Sequence, residues 1–467
     1  MSDQARRKPP RTTSLDADHF TDLGNARRLH AAHGQDILYQ LPDGPYLTWD
    51  GLRFADDAGE VQLERWAQDT IYAMHADAIY QTDNEGERRE RIKHAMASES
   101  RRAIAAMVAL MRSQPGIAVR ADQLDADPWA LCVLNGIVEL RHGARLRPHD
   151  RADRITKLVP VNYRPEAQCP TWLGFLDRVL NAKPMLIDWV QRFLGYSLTG
   201  RTDEQVVAIA HGKGANGKTT FLRAAKSILG DYSQSVPMDT LLVTKHIDTA
   251  RPDLARLRGA RLVAAIESDS HRRFAEGLLK MLSGQDTIVA RRLYHEHFEF
   301  EPNFKIVIAT NHRPTIRGTD DAIWRRIRLV PFTVTIPPEE RSRDLPDRLQ
   351  VEREGILAWA VQGCLAWQRH GLGLPDEVKA ATEQYRADMD LLGGFIADCC
   401  VVREDAQATS AALYERYVAW AHTAGENQMS QKALGITLAE RGFTPTHEHG
   451  ARGWLGIGLR GQEAIPF

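Results

Sequence analysis

The sequence predicts an α/β fold, and three stretches carry the prediction. An apolar run, Val206 to Ala210, leads through Gly212-Lys213-Gly214-Ala215-Asn216-Gly217-Lys218-Thr219-Thr220 into the amphipathic pattern Phe221 to Leu229. That order is buried strand, glycine loop, helix. Two further apolar runs, Arg261 to Ile266 and Phe304 to Thr310, each end in polar residues, as buried strands of the same sheet would.

The loop is built for phosphate. Glycines at 212, 214 and 217 let successive backbone N–H groups turn inward around a polyphosphate, where a Cβ would crowd the turn. Ala215, Asn216 and Thr220 complete the loop, and the N-terminus of the next helix adds partial positive charge. Lys218 is placed to reach the β- and γ-phosphates of ATP, and Thr219 to put its hydroxyl on Mg²⁺. A bare glycine turn is the rival reading, and the flanking strand and helix decide against it.

Composition bounds the rest. At roughly 150 residues per domain, 467 residues suggest about three domains. A formal net charge of -1 confines any nucleic-acid surface to a local patch. The five cysteines (132, 169, 364, 399 and 400) form no Cys-x-x-Cys pair, and no secretory signal precedes them. They read as reduced thiols in a cytoplasm, with Cys399 and Cys400 as packing residues. No apolar run approaches the ~18 residues of a membrane span, so a soluble intracellular protein is expected.

Along the chain, residues 1–19, with Arg6-Arg7-Lys8, form a flexible basic tail. Residues 20–165 read as an α+β unit: a helix at Asn25–His33, a hairpin over Tyr46–Phe54, long helices over Leu63–Tyr80 and Glu85–Ser113, and a β turn at Asn135-Gly136. Residues 166–200 hold two amphipathic helices, Trp172–Leu180 and Met185–Leu194, which serve either as a collar between subunits or as packing within one. The α/β unit covers 201–372. In 373–467, helices at Ser410–Thr423 and Ser430–Arg441 precede a hairpin over Phe443–Leu459, the pattern of a winged helix.

Downstream residues distinguish a motor from a kinase. Glu267 and Asp269 follow a buried strand, where carboxylates hold Mg²⁺ and polarise the attacking water. Glu267 is the expected base and Asp269 the metal-side carboxylate, although Asp269 also suits a helix cap. Asn311, at the tip of the next strand, is expected to sense the γ-phosphate and orient the water. Arg325 or Arg326 is the expected finger, neutralising charge on the transferring phosphoryl group from a neighbouring subunit; salt bridges to Asp320 and Asp321 are the competing use.

Taken together, the Gly-x-Gly-Ala-Asn-Gly-Lys-Thr loop, the Glu267 strand, Gly284-Gln285-Asp286…Ala290-Arg291-Arg292-Leu293-Tyr294, Ala309-Thr310-Asn311-His312 and Gly318-Thr319-Asp320-Asp321-Ala322-Ile323-Trp324-Arg325-Arg326 resemble the superfamily 3 helicase of phage/plasmid-type primase-helicases, with poxvirus relatives. Upstream, Asp127-Pro128-Trp129, Asn135-Gly136 and Phe193 to Gly200 resemble that family's helicase-associated N-terminal domain. The resemblance implies an AAA+ hexamer that threads DNA and translocates 3′ to 5′ with ATP and Mg²⁺, in a bacterial cytoplasm on behalf of a phage, plasmid or integrated element. Asp16/Asp18 and Asp125/Asp127 lack the setting of a primase-polymerase site, so the primase or polymerase is expected to be a separate partner.

The segment Ala290–Phe300 resembles the hairpin that such rings project into their channel. Arg291, Arg292, Tyr294 and His295 are its candidate DNA contacts, and Arg291 or Arg292 has the ATP interface as an alternative. Lys432 and Arg452 are the candidates in the C-terminal unit. The leading expectation is a replicative DNA helicase. The alternative is a DNA-binding AAA+ ATPase that loads or remodels a partner, and a small-molecule kinase is disfavoured by Asn311, the arginine pair and the flanking units.

Overall fold

The computed structural model describes residues 19–42, 44–80, 82–243, 252–266, 273–291, 297–316, 321–424, 428–448 and 451–460. The basic tail expected at the start lies outside them.

The first unit combines α1 (Asp22–His33), β1 (Ile37–Leu41), β2 (Tyr46–Trp49), β3 (Phe54–Asp56), α2 (Val61–Tyr80), α3 (Glu85–Ser98), α4 (Arg101–Met111) and β4 (Ala118–Arg120). Its sheet runs β3-β2-β1-β4, and β2–β3 is the expected hairpin. The single helix expected over Glu85–Ser113 is two. Ser100 adopts an extended backbone and its side chain accepts from the Ala103 N–H. An N-cap of that kind starts a new helix and ends the old one. The break lets Met107 and Met111 of α4 pack with Leu29 of α1 and Ile71 of α2 in one core. A second small sheet follows: β5 (Ala130–Val133) and β6 (Gly136–Glu139) turn at Asn135-Gly136, and β7 (Arg145–Arg147) pairs with β6.

Next come α5 (Pro170–Val179) and α6 (Pro184–Ser197), each with proline in its first turn, where the missing N–H costs nothing. Trp172, Leu176 and Val179 of α5 and Leu186, Trp189 and Phe193 of α6 are all buried within the chain. Leu173 of α5 and Met185 of α6 are exposed.

The central unit contains β8 (Val207–His211), α7 (Lys218–Ser227), β9 (Ser233–Pro237), α8 (Pro252–Ala255), β10 (Leu262–Ile266), α9 (Glu276–Ser283), β11 (Ile288–Arg291), β12 (His297–Phe300), β13 (Lys305–Thr310), α10 (Asp321–Trp324), β14 (Ile327–Pro331), α11 (Leu345–Val351), α12 (Arg353–His370) and α13 (Asp376–Met389). Five strands form a parallel sheet in the order β14-β8-β13-β10-β9. Parallel strands are covered on both faces, which is why their sequences are continuous apolar runs. Alternate residues enter two cores: Ala208, Ala210, Leu262 and Ala264 join α5, α6 and α12, while Val207, Ile209, Val263 and Ala265 join Phe274, Trp324 and Tyr385.

Two buried basic side chains pin the amino-terminal edge of this sheet to the end of α6. Lys305 Nζ donates to the Thr199 and Arg201 carbonyls at 2.5 and 3.1 Å, and the Arg261 guanidinium donates to Leu198 and Ala130 carbonyls at 2.6 and 2.7 Å. Carbonyls just past a helix C-terminus are acceptors that favour cations.

The last unit is α14 (Leu391–Cys399), β15 (Cys400–Thr409), α15 (Ser410–Ala424), α16 (Gln431–Glu440), β16 (Thr444–Glu448) and β17 (Ala451–Leu459). Its two helices and hairpin fall where the sequence placed them. β15 was not anticipated, and it makes the sheet β15-β17-β16. All five cysteines are buried, Cys399 and Cys400 in this unit's core. No helix among the described residues is long and apolar enough to cross a membrane.

Candidate functional site

Strand register gathers the site at the carboxyl edge of the parallel sheet. His211, the last residue before the glycine loop, pairs with Thr310 on one side and Pro331 on the other; Ile266 pairs with Ala309. The loop and Asn311 therefore leave the sheet at one level, and β10 ends there too. In open α/β sheets this edge is where ligands bind.

The loop's shape follows from its glycines and from what lies beneath it. Gly217 has φ +85°, and a Cβ there would stand 2.6 Å from Val179 Cγ1 and 3.0 Å from Phe175 Cε2 of α5. A Cβ on Gly212 would stand 2.0 Å from the Phe332 carbonyl oxygen. Above Gly214 there is open space, and Lys213, Gly214, Ala215 and Thr219 are exposed. Ala215 adopts φ 60°, and its carbonyl accepts from the Ile336 N–H at 2.8 Å. Thr220 is half-buried in the first turn of α7.

Lys218 is 5% exposed, so its ammonium must be met by acceptors. Its Nζ donates to the Gly212 carbonyl at 2.6 Å, Asn216 Oδ1 at 2.9 Å and Asn311 Oδ1 at 3.0 Å. The amide of Asn216 donates in turn to the Phe332 carbonyl at 3.2 Å, just past β14. A buried ammonium under a glycine loop that opens outward at Gly214, at the start of a helix, fits an anionic polyphosphate. The exposed Thr219 hydroxyl stands at the same helix start, where a metal bound to that phosphate would take it as a ligand. Glu267 and Asp269 lie outside the described residues.

The two arginines part company. Arg326 is 8% exposed; its Nη1 donates to the Ala322 carbonyl at 2.6 Å and its Nη2 to Gln205 Oε1 at 3.2 Å. Arg325 is exposed. Both stand before Ile327, which pairs with Val207 at the start of β8. They are thus at the sheet edge opposite their own chain's loop, four strand steps or about 13 Å away at ~3.3 Å per residue. Of the two expected partners, Asp320 lies outside the described residues, and Asp321 forms an ion pair with Arg386 at 2.6 Å.

The expected DNA contacts are spread over two places. β11 and β12 form the expected antiparallel hairpin, in which half-buried Arg291 pairs with His297; Arg292, Tyr294 and His295 lie outside the described residues. Lys432 is exposed at the start of α16, and exposed Arg452 lies in β17 opposite His447. Asp127 accepts from the Trp129 N–H two residues on at 2.9 Å, a turn-capping contact, and Asp125 accepts from the Thr156 N–H at 2.7 Å, a bond between segments 31 residues apart.

Several residues that shape the site escaped the sequence reading. Phe175 and Val179 seat the loop, the Phe332 carbonyl anchors Asn216, and α13 holds the segment after Asn311. The proline-led amphipathic pattern of α5 was visible, but nothing local said that the loop would rest on it.

Residues 26–181 match the family described as D5 N terminal like, and residues 210–326 match a family of unknown function (DUF5906). Over 248 residues the chain is 30% identical to "Putative helicase L207/L206" of Acanthamoeba polyphaga mimivirus, covering 49% of this chain and 26% of that protein. It is 24% identical over 341 residues to "Putative primase C962R" of African swine fever virus (isolate Pig/Kenya/KEN-50/1950), covering 68% of this chain and 35% of that protein. The matched stretches thus span about a quarter to a third of these relatives' length. Among solved structures, the A-form apo structure of the NrS-1 C-terminal region has TM-score 0.48 and 10% identity, with 90% of this chain and 95% of that chain covered. The chain thus carries a D5 N-terminal-like segment and is similar in sequence to viral proteins named as putative helicases and primases.

Proposed function

We propose that this chain is the ATP-driven motor of a replicative DNA helicase, an AAA+ superfamily 3 module that works as a ring, with ATP hydrolysed between subunits. The observation that carries the reading is the contact of Lys218 Nζ with Asn311 Oδ1, which puts the loop cation and the strand-tip amide at one point of the sheet edge. The strand order supports it as well, since β13 is inserted between the loop strand β8 and the carboxylate strand β10.

In this reading the loop N–H groups and Lys218 bind the β- and γ-phosphates, and Thr219 with Asp269 holds Mg²⁺, which neutralises charge on the phosphates. Glu267 accepts the proton of the attacking water and Asn311 orients it. Arg325 is the finger, because it is exposed while Arg326 is turned inward. Its place at the edge opposite its own loop suits a neighbour's site, which makes an oligomer, in the family manner a hexamer, part of the proposal. The hairpin β11–β12 and the C-terminal unit, read as a winged helix, meet DNA through Arg291, Arg292, Tyr294, His295, Lys432 and Arg452. A phage- or plasmid-type source, a cytoplasmic setting and a separate primase or polymerase partner belong to the same proposal.

The test is ATPase turnover with and without single-stranded DNA, alongside strand displacement on a 3′-tailed fork. Stimulated turnover with displacement supports the helicase. Stimulated turnover without displacement would assign a loader instead, and turnover indifferent to DNA would sink both.

A further inference from the structure

Helix α13 touches, from one side, both segments that finish the proposed hydrolysis site. Behind Asn311, the Tyr385 hydroxyl donates to the Pro314 carbonyl, and Arg313 pairs with Asp388 at 2.7 Å. At the turn that carries Arg325, Arg386 pairs with Asp321 at 2.6 Å, and the Tyr385 ring meets Trp324 edge-on at 5.3 Å. The Leu329 N–H of β14 donates to Thr382 Oγ1 at 3.0 Å. Thr382, Tyr385 and Arg386 are neighbours on a helix surface by their spacing. Tyr385 is fully buried, so the helix cannot shift without moving both segments.

The far end of α13 is held by the C-terminal unit. Asp390, directly after the helix, accepts from the Gly393 N–H at 2.9 Å, capping α14, and pairs with Arg441 at the end of α16. A continuous path therefore runs from α16 through Arg441 and Asp390 into α13, and from Arg386 through Asp321 to the turn before Arg325.

We infer that α13 transmits the position of the C-terminal unit to the hydrolysis step, with Arg386 as a positioning residue for Arg325. The inference rests on the interface-ATPase reading above. When the C-terminal unit engages its ligand, α16 displaces Arg441, α13 follows, and the finger turn moves relative to the neighbour's phosphate loop. Loading of the C-terminal unit thereby sets the turnover rate without altering nucleotide binding at the chain's own loop.

The test uses Arg386→Ala and, because Asp321 is a surface side chain whose replacement does not threaten folding, Asp321→Asn. Each should lower kcat by up to about fivefold, the scale of one exposed ion pair, with KM unchanged. The exchanged pair Asp321→Arg with Arg386→Asp should recover kcat. Mixed with Lys218→Ala, either single variant should regain turnover, since its phosphate loop is intact and its finger arm is not. Mixed with Arg325→Ala, it should regain none, because both defects lie on the same arm. Arg441→Ala, which cuts the path at its other end, should lower kcat alike. Wild-type kcat in both Arg386→Ala and Asp321→Asn, or in Arg441→Ala, would overturn the inference while leaving the interface reading intact. Failure of the Arg325→Ala and Lys218→Ala mixture, with subunit exchange confirmed, would overturn both.

Discussion

Lys218 Nζ and Asn311 Oδ1 lie 3.0 Å apart although 93 residues separate them in the chain. The cation arrives from the loop after β8 and the amide from the tip of β13, and the pairing of His211 with Thr310 sets them level. Arriving phosphate competes for the same ammonium, so binding and sensing share one hydrogen-bond position. Asn311→Ala should keep ATP-analogue affinity near wild type and lower kcat by roughly 10²-fold, the cost of one preorganised polar group. Lys218→Ala should lose turnover and unwinding together. Steady-state ATPase with an analogue titration reads both, and full turnover in either variant removes that residue from the site.

Glu267→Gln should bind ATP and fail to split it, because an amide cannot accept the proton of the attacking water. The expected loss is about 10²–10⁴ in kcat. If Glu267→Gln turns over normally while Asp269→Asn is dead, the two carboxylates exchange roles.

Gly217→Ala tests the seat of the loop. An L-residue at left-handed φ costs about 1–2 kcal/mol, and its Cβ meets Val179 Cγ1 at 2.6 Å. The variant should melt at lower temperature and bind the ATP analogue more weakly. Adding Val179→Ala relieves the contact but not the backbone strain, so affinity should recover in part. Wild-type melting and affinity in Gly217→Ala would show that the loop does not rest on α5 as described.

What was legible in the sequence was local. The strand–loop–helix run, the strand ending before Glu267, the hairpin between Ile288 and Phe300 and the two C-terminal helices each carry their signal within about twenty residues. The order of strands is not local, since β13 inserts between β8 and β10 through parallel pairing alone. β15 was hidden because Arg403-Glu404-Asp405 interrupts its apolar pattern; it is an edge strand with a register shift between Val402 and Gln407. The break at Ser100 carried a capping signal that a charged helical run concealed. The clasp of Arg386 on Asp321, 65 residues apart, had no sequence signature.

Lys305 yields a pH prediction. Burial holds its pKa well below the usual lysine range, with the nearby Arg261 charge acting in the same direction. As pH falls below the ordinary value near 10.4, the unfolded chain takes up this proton before the folded chain does. Between the two values the unfolded state binds more protons, so this residue makes stability rise with pH. The gain in denaturant midpoint between pH 8 and pH 10 should be larger for wild type than for Lys305→Met. Equal gains would mean that the ammonium is not desolvated as its burial implies.

Arg325 and Arg326 are adjacent in sequence but should fail in different ways. Arg326 is buried, with two own-chain oxygens accepting from its guanidinium. Arg326→Ala removes both of these hydrogen bonds and leaves a gap beside β14, so stability should drop by about 2 kcal/mol. Arg325 is exposed, and Arg325→Ala should melt like wild type and bind nucleotide, yet lose about 10³-fold or more in turnover as a finger does. Because it stands at the edge opposite its own loop, the defect should be complemented in trans. A mixture of Arg325→Ala with Lys218→Ala forms some interfaces that join an intact loop to an intact finger, and these should hydrolyse ATP. Labelled subunits must show exchange, since unmixed oligomers would also be inactive. A finger acting within its own chain gives no rescue, because every subunit then carries one defect. Exchange without recovered turnover would therefore remove Arg325 from the interface, and the finger would have to be sought elsewhere on the chain.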